Sequence, residues 1–114
     1  LDALRAPAIT FRKAWDGAAL LGCGALKELT AEHGEIKSMH TARARRGMGA
    51  ASEIVEVILN EAEERNYHRL SLETGSTEPF APARALYTKY GFVESGPFAD
   101  YREHPYSTFM TLKL

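Results

Sequence analysis

A mixed α/β fold, a layer of strands with helices packed on it, is what this 114-residue sequence predicts. Three observations predict it. Segments rich in β-branched and aromatic residues alternate with turn signals over residues 7–41. One clear amphipathic helical pattern follows at 51–62, and strand and helix patterns then alternate toward the C-terminus. The expected order is β-β-β-α-β-α-β-β in a single domain, 1–114, because no repeat, linker or low-complexity stretch interrupts it.

The first segment, "PAITFRKAWDGAALLGCGALKEL", reads as two strands joined by a hairpin turn at "WDG". Gly22 and Gly24 inside it mark a bulge or a close backbone approach. After the turn "TAEHG", the stretch "EIKSMHT" alternates Ile36, Ser38 and His40 against Glu35, Lys37 and Met39. That alternation fits a short strand, although neither face is cleanly apolar. The next segment sets Ala51, Ile54, Val55, Ile58 and Ala62 on one helical face, with the glutamates at 53, 56, 61, 63 and 64 on a solvated one. "RNYH" ends that helix, "RLSLET" is a strand and "GSTEP" breaks it. A second helix is expected from about Pro82 to Tyr90, since proline suits a first helical turn, with Gly91 as a left-handed cap. "FVES" starts a strand, "GPFADYREHP" is a loop, and "YSTFMTLKL" is the closing strand.

Composition removes several function classes. A net charge of −1 and a pI near 6.5 disfavour a dedicated nucleic-acid binder. No apolar run approaches the roughly 20 residues that cross a bilayer, and no signal-peptide pattern is present. The single cysteine, Cys23, excludes an intrachain disulfide and sits on an apolar strand, where burial is expected. The expected compartment is the cytoplasm. The four histidines are scattered without ligand spacing, so no metal site is expected. The chain starts at Leu1 rather than methionine, which suggests part of a longer protein.

The chemistry concentrates in "RARRGMGAAS", residues 43–52, between a strand and the first helix. The first N–H groups of a helix lack internal partners and carry partial positive charge, so a small-residue turn ahead of them is a ready anion site. Three phosphate motifs compete. A P-loop needs a lysine after the second glycine, and none follows Gly49. A dinucleotide fingerprint needs a third glycine or alanine where Ser52 stands. The pattern [Gln/Arg]-x-x-Gly-x-[Gly/Ala] is matched in full by Arg46, Gly49 and Ala51.

That turn resembles the acetyl-CoA pyrophosphate loop of the GNAT superfamily of N-acetyltransferases. A second match lies downstream, where "ARALYTKYGF" is similar to the family's A-x-x-L-Y-x-K-x-G-F segment through Ala83, Leu86, Tyr87, Lys89, Gly91 and Phe92. Two motifs in order, with a strand between, are more specific than either alone. The element order agrees with the family from about Ile9 to Leu114. The resemblance implies a mixed, mostly antiparallel central sheet with a splayed parallel strand pair, flanked by helices. It implies acetyl-CoA as cosubstrate, no metal, and direct attack by a primary amine. The pantetheine arm would lie between "EIKSMHT" and "RLSLET", bonded by backbone groups near Met39 and His40, with the Met39 N–H facing the thioester oxyanion. Arg46 completes the pattern, and the backbone of Gly47, Met48, Gly49, Ala50 and Ala51 would hold the pyrophosphate. Tyr87 matches the tyrosine that protonates the leaving thiolate, chemistry made reasonable by ordinary pKa values of about 10 and 8.5. Glu35 resembles a carboxylate that some members use as base, with Glu73 and His40 as rivals.

The sequence departs from the family at Phe80, where many members have an asparagine that contacts pantetheine. The resemblance also implies a strand and one or two helices ahead of Ile9, forming a wall of the acceptor pocket, for which residues 1–8 leave no room. Expected partners are therefore a small-molecule or peptide amine, with a second copy of the chain admitted and neither nucleic acid nor membrane. Two rival classes stay open. One is a non-catalytic CoA-binding or protein-interaction module of the same fold. The other is a nucleic-acid binder using Arg43, Arg45 and Arg46, against which the acidic pI and the lack of an aromatic platform count.

Overall fold

The structure, a computed structural model, describes the backbone of residues 9–16, 19–41 and 50–114, and the side chains of 24–37 and 51–114. The "WDG" turn at Gly17, the arginines at 43, 45 and 46, and Gly47, Met48 and Gly49 lie outside the described residues, as do the side chains of Cys23, Met39, His40 and Ala50. The elements are β1 (Ile9–Asp16), β2 (Ala19–Thr30), β3 (His33–Thr41), α1 (Ala50–Glu64), β4 (Arg69–Gly75), α2 (Ala81–Lys89), β5 (Val93–Ser95) and β6 (Ser107–Lys113). This is the expected order. The strands form a six-stranded sheet in the order β1-β2-β3-β4-β6-β5, antiparallel except for the parallel pair β3 and β4.

One face of this sheet is apolar because alternate residues of each strand point to the same side. Leu26, Ile36, Leu70, Leu72 and Met110 of that face are buried against Ile54, Val55, Ile58 and Ala62 of α1 and Tyr87 of α2. Burying each such aliphatic side chain stabilises the fold by about 1.5–3 kcal/mol relative to exposure. The glutamates at 53, 56, 63 and 64 are exposed, as the helical periodicity predicts, while Glu61 is half-buried and pairs with Arg65 at 3.0 Å.

Both helices end in the same way. Asn66 follows α1 with a left-handed φ of 62°, and the Tyr67 and Asn66 N–H groups bond back to the Ala62 and Glu63 carbonyls. Gly91 follows α2 with φ 97°, and the Phe92 and Gly91 N–H groups bond back to the Tyr87 and Thr88 carbonyls. These are Schellman caps, in which the residue after the left-handed one packs on the helix's last turn. In α2 that contact is Phe92 on Tyr87, so the sequence segment that contains both is the device that orients the tyrosine.

Two boundaries differ from expectation. β3 begins at His33 rather than Glu35, because His33 pairs with Thr30 on β2 and with Arg69 on β4, which confines the turn to Ala31 and Glu32. α2 starts at Ala81 behind a short 3-10 turn, Glu78–Phe80, one residue ahead of Pro82.

Candidate active site

The parallel pair is short. β3 and β4 are in register only from His33 opposite Arg69 to Ile36 opposite Leu72. Beyond that point β3 continues to Thr41 along β2, while β4 continues through Glu73 to Gly75 along β6. The two strands therefore separate into a V whose arms are about 10 Å long or more, from the rise per residue of a strand. The cause is visible in the β2–β3 register. Cys23 faces His40 and Ala25 faces Lys37, so β3 carries an extra residue at Ser38–Met39, opposite Gly24. A bulge of this kind bends its strand and leaves backbone groups unpaired. The sequence marks Gly22 and Gly24 for a bulge or a close backbone approach; here the extra residue is on the strand that faces Gly24.

Tyr87 stands on α2, 5 % exposed, with its ring edge-on to Phe92 at 5.7 Å between centroids. No hydrogen-bond partner for its hydroxyl is found among the described residues. Burial pushes its pKa up to about 12. The phenol is thus protonated and available as a donor, but a weaker acid than its ordinary value near 10 suggests. Tyr90, one turn on, serves the packing of the helices instead. Its hydroxyl donates to Glu56 Oε2 at 2.6 Å and ties α2 to α1.

The polar face of the sheet carries the carboxylates. Glu35 lies on β3 one residue before the V opens and is only 2 % exposed. Tyr101, from the connection between β5 and β6, donates its hydroxyl to Glu35 Oε2 at 2.5 Å. Lys37 Nζ donates to the Tyr101 oxygen at 3.1 Å and stands 3.7 Å from Glu35 Oε2. Glu73, on the β4 arm, is exposed and accepts a hydrogen bond from Ser107 at 2.6 Å. Between them His33 Nε2 bonds Ser71 Oγ at 2.7 Å, and Ser71 shares a hydrogen bond with Thr111. The pKa of His33 is lowered, first by burial and then by nearby Arg69, with Glu35 opposing, so the ring is neutral near pH 7. A further shallow cavity of about 400 Å³ lies near the start of β6, between Glu94, Glu103, His104 and Phe109.

Comparison with known proteins bears on this geometry. Residues 2–92 match the sequence profile of the Acetyltransferase (GNAT) family. The chain belongs to the GNAT family. It is an acyltransferase, and its relatives carry that activity in their names. It is 56 % identical over 114 residues to YsnE, an uncharacterized N-acetyltransferase of Bacillus subtilis (strain 168), covering 100 % of this chain and 76 % of the relative. It is 50 % identical to YedL, an uncharacterized N-acetyltransferase of Escherichia coli (strain K12), covering 97 % of this chain and 70 % of the relative. Among solved structures, a GNAT family acetyltransferase from Elizabethkingia anophelis with acetyl-CoA bound superposes with a TM-score of 0.79 at 20 % identity, over 94 % of this chain and 77 % of that one.

Within this GNAT chain the site residues expected from sequence fall into three groups. Glu35 lies in the paired stretch just before the V opens, the backbone of Met39 and His40 lies along its β3 arm, and Glu73 lies on its β4 arm. Ala50 and Ala51 open α1 just beyond the end of β3 in sequence, while Arg46, Gly47, Met48 and Gly49 are outside the described residues. Tyr87 is on the apolar face of the sheet and Glu35 on the polar face. Sequence reasoning misses Lys37 and Tyr101 as site residues. The one signal for Tyr101 is the pair of aromatic residues, Phe98 and Tyr101, in the loop before the closing strand.

Proposed function

We propose that this protein transfers the acetyl group of acetyl-CoA to a primary amine by direct attack, without a covalent enzyme intermediate. The observation that supports it best is the V between β3 and β4, with a bulge at Ser38–Met39 in its wall. A linear arm of amides, such as pantetheine, fits between two separated strands because it can bond the backbone groups that neither strand satisfies. In this reading the Met39 and His40 backbone bonds that arm, and the Met39 N–H stabilises the developing oxyanion. The pyrophosphate lies on the N–H groups of Gly47, Met48, Gly49, Ala50 and Ala51 at the start of α1, with Arg46 beside it. Tyr87 donates a hydrogen bond to the departing sulfur, and the polar face with Glu35 and Glu73 receives the amine's proton.

The test has two parts. Acetyl-CoA is expected to bind in isothermal titration calorimetry and to acetylate at least one member of a panel of primary amines, read as CoA thiol release. Gly49→Leu is expected to weaken acetyl-CoA binding by more than about 100-fold with an unchanged circular dichroism spectrum, since a side chain there blocks approach to the backbone. Retained affinity in that variant sinks the loop assignment. Binding without transfer to any amine favours the non-catalytic module instead.

A further inference from the structure

Glu35 has the right chemistry for a base but the wrong exposure. At 2 % exposed, its carboxylate is closed off by the connection between β5 and β6 and cannot touch an amine directly. What covers it is Tyr101, which is half-buried and sets its hydroxyl on the Glu35 carboxylate. The ring is held firmly. It packs against Phe98 at 5.0 Å and Phe109 at 5.8 Å between centroids, and its N–H closes a turn on the Phe98 carbonyl at 3.0 Å. Ala99, in the left-handed region at φ 52°, lies inside that turn. Lys37, the first residue of the splayed arm, donates to the same phenol oxygen at 3.1 Å. Three polar side chains thus converge beside the vertex of the V, and only the phenol and the lysine are open to a ligand.

We propose that Tyr101 is the group that touches the acceptor amine and that Glu35 acts through it. The inference rests on the acetyltransferase reading above. As the amine nitrogen bonds to the acetyl carbon, its proton passes to the Tyr101 oxygen while the phenol's own proton passes to Glu35 Oε2. The carbon–sulfur bond then breaks, CoA leaves as thiolate, and the proton on Glu35 returns through the phenol to solvent or to the thiolate. The balance is acetyl-CoA plus amine to amide plus CoA thiol. Lys37 is a positioning residue that keeps the phenol oxygen between carboxylate and amine and offsets negative charge on it during transfer. Hydrogen bonds linked in this way polarise one another, which favours transfer along the chain over transfer to either end alone.

The rival role for the same contacts is mechanical, a latch that pins the loop to the sheet. Kinetics of Tyr101→Phe, Glu35→Gln and the double variant separate the two. The probes are acetyl-CoA with benzylamine as acceptor and, in parallel, acetyl-CoA with water as acceptor, followed as CoA thiol release in single turnover. A relay predicts that each single variant loses about 100-fold or more in the rate constant. The double variant is expected to lose no more than the worse single one, because both remove the same path. KM for benzylamine and the calorimetric affinity for acetyl-CoA are expected to stay within about threefold. A latch predicts a raised KM and a lowered Tm with kcat retained, and that result overturns the proposal. So do losses that multiply in the double variant, or equal rates in all four proteins. Equal rates with acetyl-CoA still bound count against the relay alone. Failure of the wild-type protein to bind acetyl-CoA counts against the transferase reading as a whole.

Discussion

Replacing Tyr87 by phenylalanine separates what the ring does from what the hydroxyl does. The ring stays packed on Phe92, and no internal hydrogen bond among the described residues is lost, so at pH 8 the variant is expected within about 1 kcal/mol of wild type. Alkaline pH tells them apart. Burial raises the phenol from its ordinary 10 to about 12 in the folded chain. A raised folded value means stability that is fully present below pH 10 and is lost as pH climbs through about 12. Two units correspond to about 3 kcal/mol in full above pH 12, of which wild type is expected to lose about 2 kcal/mol by pH 11.5 and the variant none. Urea unfolding of both proteins at pH 8, 10 and 11.5 reads this difference directly.

The same shift constrains catalysis. A phenol near 12 facing a thiol of about 8.5 makes complete proton transfer uphill by about 5 kcal/mol. What Tyr87 can supply is a hydrogen bond to the developing thiolate, worth about 1.5–3 kcal/mol for a charged acceptor. Tyr87→Phe is therefore expected to slow single-turnover thiol release by about 10- to 150-fold at unchanged acetyl-CoA affinity. An unchanged single-turnover rate refutes the catalytic assignment. Equal alkaline losses in the two proteins refute the burial argument.

Two other outcomes follow from packing and charge. Gly34→Ala places a Cβ 2.7 Å from Tyr67 Cε2 and 3.0 Å from Leu26 Cδ1. Tyr67 is held by its hydroxyl on Glu28 at 2.9 Å, so it cannot swing aside freely, and a loss of about 1–3 kcal/mol is expected in thermal denaturation. An unchanged Tm would mean that the ring relaxes without strain. His33, whose folded pKa lies below 6.5, contributes stability present above that value and lost as pH falls through the folded one. Wild-type Tm is accordingly expected to drop more steeply below pH 6.5 than that of His33→Gln, measured from pH 7.5 to 4.5.

Much of the fold is legible because its signals are local. The α1 face at Ile54, Val55, Ile58 and Ala62 is a matter of residues three and four apart, and all four are buried. Gly91 is expected in a left-handed conformation from its place after a helical pattern, and its φ of 97° agrees. "EIKSMHT" is ambiguous because its two faces meet different surroundings. Ile36 enters the core under α1, while Glu35 is buried on the other side under a loop. A strand covered on both faces loses the clean alternation that sequence reading depends on.

By itself, the sequence determined the element order, the Gly91 cap of the second helix and the two motifs that point to the family, since each depends on neighbours within about one helical turn or one strand. Only the tertiary structure decided that β3 and β4 part after Ile36 and Leu72, that the bulge falls at Ser38–Met39, and that Tyr101 closes over Glu35 from 66 positions away. Strand register and loop closure are set by the packing of whole faces against one another. Hydrophobic periodicity names the face a residue belongs to, but it carries no information about which distant residue will meet it there.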